Sequence, residues 1–454
     1  MESISALRLL SNIIAQAVDT IEGVYADAGV ALPALDEPFN PKDPAEAVRQ
    51  DPDVAAATMN LVAAAAQIAA AVRDPVMSAM SNAHSFQIAS CVRTASELNV
   101  VEILREAGPK GMHVKEIATP SHTNADLLAR ILRLLATHHM FREVAPNVFA
   151  NNRISSALDK GKPSSILFEN REDRLTGTSG AAALTEFLGD ECFKTKPLMR
   201  AFGLDEPMFN WLKRPENRHR INRFALGMHG TAASEPPGLI FEGFDWSALP
   251  NGSVLVDVGG GLGSTSMAIA KRNLGLRIVN QDLGPTIEQA KLYWKEQFPE
   301  HVEKQMVELQ AHDFFQQQPV KNADIFMMRH VIHDWSDERT IVILTRLREA
   351  AMPTTRLVIV ENIVPLASRG ESGDPNTKAV PGAARPSAPP PLLPNWGVAA
   401  ASLYYYDVTL HNLVGGGKRT LEAFADVLAK SGWDLAQVHH CPRSQLSHLV
   451  AIPT

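Results

Sequence analysis

From Val254 to Asn362 the chain alternates two kinds of segment, and that alternation narrows the possible folds more than any other feature. VLVDV, LRIVNQD, VELQAHD, ADIFMMRHV and RLVIVENIV are apolar runs of strand length, while PTIEQAKLYWKEQF and DERTIVILTRLREAA between them have helical periodicity. The pattern predicts an α/β domain with a parallel, doubly wound sheet. TLEAFADVLAKSG supplies a further helix, and DLAQVHH with SHLVAIP predicts a closing antiparallel hairpin.

The first strand leads into VLVDVGGGLGS. It places Asp257 at the strand end and Gly259, Gly260, Gly261 and Gly263 where the chain turns into a helix, so that backbone can approach a ligand closely. Asp282 closes the second strand at the distance where a carboxylate accepts hydrogen bonds from ribose hydroxyls. A glycine-rich turn alone is equally a tight loop; turn, strand and spaced acid together imply an adenosine-containing ligand. A dinucleotide fingerprint would need glycine where Ser264 stands. The form D-x-G-x-G-x-G, Asp257 to Gly263, instead resembles motif I of class I S-adenosylmethionine-dependent methyltransferases.

Upstream, HVKEIATPSHTNADLLARILRLLATHHMFREVAPNVFAN has the helix–turn–helix and two short strands of a winged helix. Lys115, Arg130, Arg133 and Arg142 are nearly balanced by Glu116, Asp126 and Glu143, which favours a packing or dimerisation module over DNA binding. The organisation expected is a helical and winged-helix domain over 1–165, a helical linker over 166–235, and a catalytic domain over 236–454. The last carries a Pro-, Gly- and Ser-rich stretch at about 367–395 that reads as a flexible surface insertion.

Composition limits the partners. A net charge of −7 with pI near 6.1 argues against general affinity for nucleic acid or an anionic membrane. Cys91, Cys192 and Cys441 lack paired-ligand spacing, so neither a disulfide framework nor a zinc site is expected; the expectation is no metal and a reducing, cytoplasmic compartment. MESISALRLLSNIIAQAVDTI reads as an amphipathic helix, and the alanine-rich run Val62–Val72, interrupted by Gln67, is too short to span a bilayer.

VIHDWSDERT places His333 at the carboxyl end of the fourth strand, the edge at which an open parallel sheet binds its ligands. Taken alone, such a histidine is as often a hydrogen-bonded packing residue. Ser336 is placed to cap the following helix, and Asp337 and Glu338 fall in its first turn.

RHVIHDWSDE, VDVGGGLG, VIVENIVP and GGGKRT together resemble the plant-type O-methyltransferase family that includes caffeic acid O-methyltransferase, and PPPLLPNWG resembles an insertion of its fungal members. The resemblance implies a Rossmann-like catalytic domain with an N-terminal dimerisation domain, a homodimer, S-adenosylmethionine as cofactor, and a small aromatic hydroxyl compound as acceptor. It implies His333 as general base, Glu361 as the acid orienting it, and Asp334 beside the acceptor. Asp257, Gly259, Gly261, Gly263, Asp282, Asp313, Phe314 and Arg329 correspond to the cofactor site; Phe224 and Met228 of F-x-x-G-M, with Trp335, His411 and Asn412, correspond to the acceptor pocket. His330 has no counterpart as a base and reads as packing.

One departure stands out: the family has a second acid where GGGKRT carries Lys418. Either Glu361 suffices to orient His333, or Asp334 or Asp407 substitutes, or the base is weakened; Lys418 is equally a solvated loop residue. Two alternatives therefore accompany O-methylation: a protein of this fold using the cofactor for another reaction, and a non-catalytic dimerising partner.

Overall fold

The computed structural model describes residues 5–162, 196–206, 208–221, 238–367, 377, 379–441 and 444–454. The chain divides into two compact units, Met1–Glu235 and Pro236–Thr454.

In the N-terminal unit the helix Ala6–Asp27 packs along a second, Pro52–Val72. Asp51 caps the latter, accepting from the Asp53 and Val54 amides at 2.8 and 3.3 Å, with Pro52 at the first helical position, where its missing N–H costs nothing. The sequence reading counted only Val62–Val72 as apolar. The helix runs 21 residues and is long and apolar enough by length and composition to cross a membrane. Its apolarity is largely alanine, and Val54, Ala57, Ala63 and Ala64 are buried in the protein.

The winged helix forms from Val114–Ala118, Ala125–Thr137 and strands β1 (Met112–His113), β2 (Arg142–Ala145) and β3 (Val148–Ala150), in the antiparallel order β1-β3-β2. Leu128, Leu132 and Leu135 recur at helical spacing and meet Ile117, Phe141 and Phe149 in a dry core. Leu127, in the first turn of the helix, is exposed, and its amide donates to the Asn124 cap. Arg133 pairs with Glu143 at 2.7 Å, so a cation that DNA would need is already committed.

The C-terminal unit is a seven-stranded sheet. Its strands are β4 (Val254–Val258), β5 (Arg277–Asp282), β6 (Val307–Ala311), β7 (Ile325–Arg329), β8 (Arg356–Asn362), β9 (Trp433–His440) and β10 (Leu446–Pro453). The order is β6-β5-β4-β7-β8-β10-β9: the first five are mutually parallel, and the β9–β10 hairpin joins β8 antiparallel. The order reverses at β4, and an open parallel sheet binds its ligands in the crevice outside the carboxyl ends of the strands at such a point. β7 and β8 are buried along almost their whole length, as strands covered on both faces must be.

Of the proline-rich insertion, residues 368–376 and 378 lie outside the described residues, and the rest is not a loose loop. Residues 379–395 pack on the sheet edge, with Ala388 and Leu392 fully buried. The Val438 amide donates to the Pro381 carbonyl, and Arg385 donates to the Ile363 carbonyl and to Gln445 Oε1 at 2.9 and 2.7 Å. Prolines donate no backbone hydrogen bond, but they accept at their carbonyls, and their fixed backbone loses little entropy when held.

Candidate active site

The glycine turn joins β4 to the helix Ser264–Arg272. Gly259, Gly261 and Gly263 all have positive φ, at 70°, 60° and 78°. A Cβ on Gly263 would strike Trp294, one on Gly260 would overlap Asp257 and Asn280, and one on Gly261 would meet nothing within 4 Å. The turn is therefore packed from beneath and open at Gly261, where a ligand can lie against bare backbone. Asp282 accepts from the Gly261 amide at 2.9 Å and from the Leu283 amide at 2.7 Å, leaving lone pairs on both oxygens for hydroxyl donors.

Asp257 sits beneath this turn, fully buried. Burial pushes its carboxyl up to about 6, against the opposing pull of Ser266 and Arg329, and its Oδ2 has no partner; nor does Asn280 Oδ1 beside it. Arg329 donates to Thr265 Oγ1 at 3.1 Å. A Cβ on Gly259 would come within van der Waals reach of Phe314, and Asp313 turns the loop by accepting from the Phe315 amide at 3.0 Å. These orphaned buried acceptors and the bare glycine backbone fit a ligand carrying hydroxyl and ammonium donors.

Across the sheet, β7 ends earlier than the sequence suggests. His330 takes a left-handed φ of 55°, which no strand accommodates, and its amide donates to the Val360 carbonyl at 3.2 Å. His333 therefore lies one turn beyond the strand, in the 3₁₀ turn Ile332–Asp334 anchored by fully buried Ile332. Strain of this kind is held only where the surroundings over-determine it. Here Arg419 does so: it donates to the carbonyls of Ile332 and Trp335 at 2.8 Å each, to Thr340 Oγ1 at 3.0 Å and to Asp337 at 2.8 Å. Ser336, expected to cap the helix Asp337–Ala350, makes no side-chain cap bond.

Glu361, near the end of β8, is fully buried, and its Oε2 lies 3.0 Å from His333 Nδ1. Burial by itself would raise its carboxyl. The neighbouring His333 and Lys418, with the His330 ring beyond them, overcome that and hold it well below the usual carboxylate range. His333 Nε2 is 3.6 Å from Asp334 Oδ1, too long for a hydrogen bond, so that nitrogen is the ring's available one. Burial raises the Asp334 carboxyl, His333 opposing it.

Lys418 is no solvated loop residue. Its Nζ is 3.1 Å from Glu361 Oε2 and 2.8 Å from His333 Nδ1, and its side chain is 6% exposed. The spacing of GGGKRT gave no sign of this, because the contact is made across the sheet edge. His330, read as packing, has Nδ1 3.8 Å from Glu361 Oε2. His330, His333 and Glu361 converge as metal ligands would, but the ammonium of Lys418 already supplies the cation.

The remaining predictions divide. The helix Ala401–Val414, bearing His411 and Asn412, packs against the Ile332–Asp334 turn; Asn412 is buried with its Oδ1 unpartnered. Trp335 meets Phe314 and Phe315 edge-on at 5.9 and 4.8 Å, in an aromatic cluster rather than among the His333 groups. Phe224 and Met228 lie outside the described residues. Arg419 was missed and His330 was read as packing; an arginine after a glycine run, and two histidines three apart at a strand end, were the available signals.

A glycine-floored adenosine site beside a histidine–carboxylate pair, on a parallel sheet closed by an antiparallel hairpin, defines a class I methyltransferase. The O-methyltransferase domain family matches residues 184–380 and the O-methyltransferase dimerisation domain residues 80–160. The chain is 40% identical to an O-methyltransferase of Armillaria gallica over 99% of both chains, and 39% identical to a 4-O-methyltransferase of Phanerochaete chrysosporium over 96% of both. The structure of mitomycin 7-O-methyltransferase shares the fold, with a TM-score of 0.62 and 24% identity over 86% of this chain and 99% of that one. The chain belongs to this fungal branch of the plant-type O-methyltransferases, and it is an S-adenosylmethionine-dependent O-methyltransferase.

Proposed function

We propose that the protein methylates a phenolic hydroxyl on a small aromatic acceptor, with His333 as the group that manages the hydroxyl proton. The observation that carries this is the pairing of His333 Nδ1 with buried Glu361 at 3.0 Å while Nε2 has no hydrogen bond. A phenol has a pKa of about 10, so its reactive phenolate is roughly three units away at neutral pH. An imidazole beside the hydroxyl removes that barrier in part, and Glu361 stabilises the imidazolium that results.

Asp282 and the Gly259–Gly263 backbone are assigned to the ribose and methionine ends of the cofactor, Asp313 and Phe314 to the adenine side, and Arg329 with Asp257 to the floor beneath. The bound sulfonium supplies the methyl group and its own leaving group. The chain's remaining task is to hold oxygen, methyl carbon and sulfur in line, a matter of orientation. His411 and Asn412, on the helix packed against the His333 turn, are assigned to the acceptor pocket, with Asp334. Asp334 is raised by burial and sits 3.6 Å from Nε2, placed to receive a second hydroxyl.

The protein is read as a cytoplasmic homodimer joined through its N-terminal domain. The dimerisation-domain match supports this, as do Met77, Met80 and Phe86, which leave 60%, 49% and 58% of their surfaces exposed in the single chain.

Methyl transfer from labelled S-adenosylmethionine to a panel of phenols and catechols tests the reading. Product one methyl heavier on oxygen is expected. Cofactor binding without transfer to any member sinks the phenolic acceptor. A second reading, cofactor retained for another reaction, draws on Lys418 at His333 Nδ1; it predicts a product without the added methyl.

A further inference from the structure

His333 Nδ1, Glu361 Oε2 and Lys418 Nζ form a triangle with edges of 3.0, 3.1 and 2.8 Å. The ammonium's hydrogens serve its edge to Glu361, and the ring decides the rest. A ring with hydrogen on Nδ1 donates to Glu361 and keeps a lone pair on Nε2, but two N–H groups then confront each other at 2.8 Å. A ring with hydrogen on Nε2 accepts from Lys418 at Nδ1, and that short edge becomes a charge-assisted hydrogen bond.

Two observations favour the second arrangement, the ammonium and the nearer carboxylate oxygen both standing 2.8 Å from Nδ1. Glu361 does not depend on the ring's hydrogen, since Lys418 and His330 both reach it. Lys418 cannot easily withdraw: its amide donates to Asp407 Oδ1 at 2.6 Å, the Gly417 amide donates to the His333 carbonyl at 2.8 Å, and a Cβ on Gly416 would overlap that same carbonyl. The loop that carries the lysine is thus fastened to the residue it contacts.

We propose that Lys418 is a positioning residue that holds neutral His333 as its Nε2–H tautomer, and thereby biases the enzyme toward phenols acidified by an electron-withdrawing carbonyl. The inference rests on His333 facing the acceptor, as read above. An acidic phenol enters as phenolate, its proton already lost to solvent, and Nε2–H donates to its oxygen. A weakly acidic phenol needs Nε2 as a proton acceptor, so the ring's hydrogen must first move to Nδ1 and the Lys418 bond must break. The lysine therefore penalises one acceptor and serves the other.

The test is the ¹⁵N spectrum of the full chain labelled in histidine, with S-adenosylhomocysteine bound, at pH 8. His333→Asn assigns the resonance. The parent and Lys418→Arg are expected to carry hydrogen on Nε2, and Lys418→Met to carry it on Nδ1. Hydrogen on Nδ1 in the parent overturns the proposal even if no variant folds; so does a methionine variant that keeps the parental tautomer.

Kinetically, the parent is expected to prefer 4-hydroxybenzaldehyde to 4-methylphenol in kcat/KM, and Lys418→Met to shrink that preference by about tenfold, the scale of one hydrogen bond to a charged donor. An unchanged preference overturns the specificity. A parent that methylates neither phenol while showing an Nε2–H ring contradicts the phenolic reading and upholds the tautomer.

Discussion

Glu361 and His333 stand 28 residues apart in the chain, and their carboxylate and ring meet at 3.0 Å because β8 lies beside β7 in parallel register. The Arg329–Val360 pairing fixes which residue of β8 stands next to the turn, and a one-residue slip would send Glu361 to the opposite face. Glu361→Ala leaves Lys418 as a buried charge lacking its carboxylate. The expected loss is about 3–5 kcal/mol of stability in urea unfolding, as for other broken buried pairs. The carboxyl is depressed in the folded state, so its contribution is present above the ordinary carboxylate range near 4.3 and fades as pH falls through its lower folded value. The gap between parent and variant should therefore narrow in acid; a constant gap refutes the ion-pair account.

His333→Ala is expected to keep S-adenosylmethionine affinity by calorimetry and lower methyl transfer roughly a hundred- to ten-thousand-fold. Equal turnover in variant and parent would sink its role.

Asp282→Ala should reverse that order of effects. Loss of a charged acceptor typically costs about 1.5–3 kcal/mol, so cofactor Kd is expected to rise roughly ten- to a hundredfold. The freed Gly261 amide would also loosen the turn. Unchanged affinity rules out the ribose contact.

Asp257 carries the opposite pH signature to Glu361. Its folded pKa, about 6, is raised from 3.8, so folding favours the protonated form. That stabilisation is present below 3.8 and is lost as pH rises through about 6. Asp257→Asn, which cannot ionise, is expected to be more stable than the ligand-free parent at pH 8 by about 2–3 kcal/mol and to show no loss across that window. Parallel Tm curves for the two proteins would contradict this.

Arg419→Lys tests the staple on the His333 turn. A lysine cannot reach four acceptors with a planar fork, and two backbone carbonyls would lose their donor. An expected destabilisation of about 2–4 kcal/mol, with amide exchange accelerated at 332–335, separates a staple from a surface contact.

Periodicity and local spacing determined the parts of this protein that depend on neighbours in the chain. The five parallel strands, the hairpin, the winged helix, the glycine turn and the acids at 257 and 282 were legible because side-chain alternation and turn chemistry are short-range. His333 and Glu361 were legible as individuals through their family resemblance. Their partners were not. Whether Lys418 meets solvent or a buried carboxylate, whether Arg419 is a surface cation or the clamp of a strained turn, and whether 379–395 is loose or packed on β9 depend on segments tens of residues apart being brought together. Only the parallel register of β7 and β8 and the loop folded over their ends set those distances, and at about 3 Å a charge's effect is decided by its partner and its burial rather than by its type.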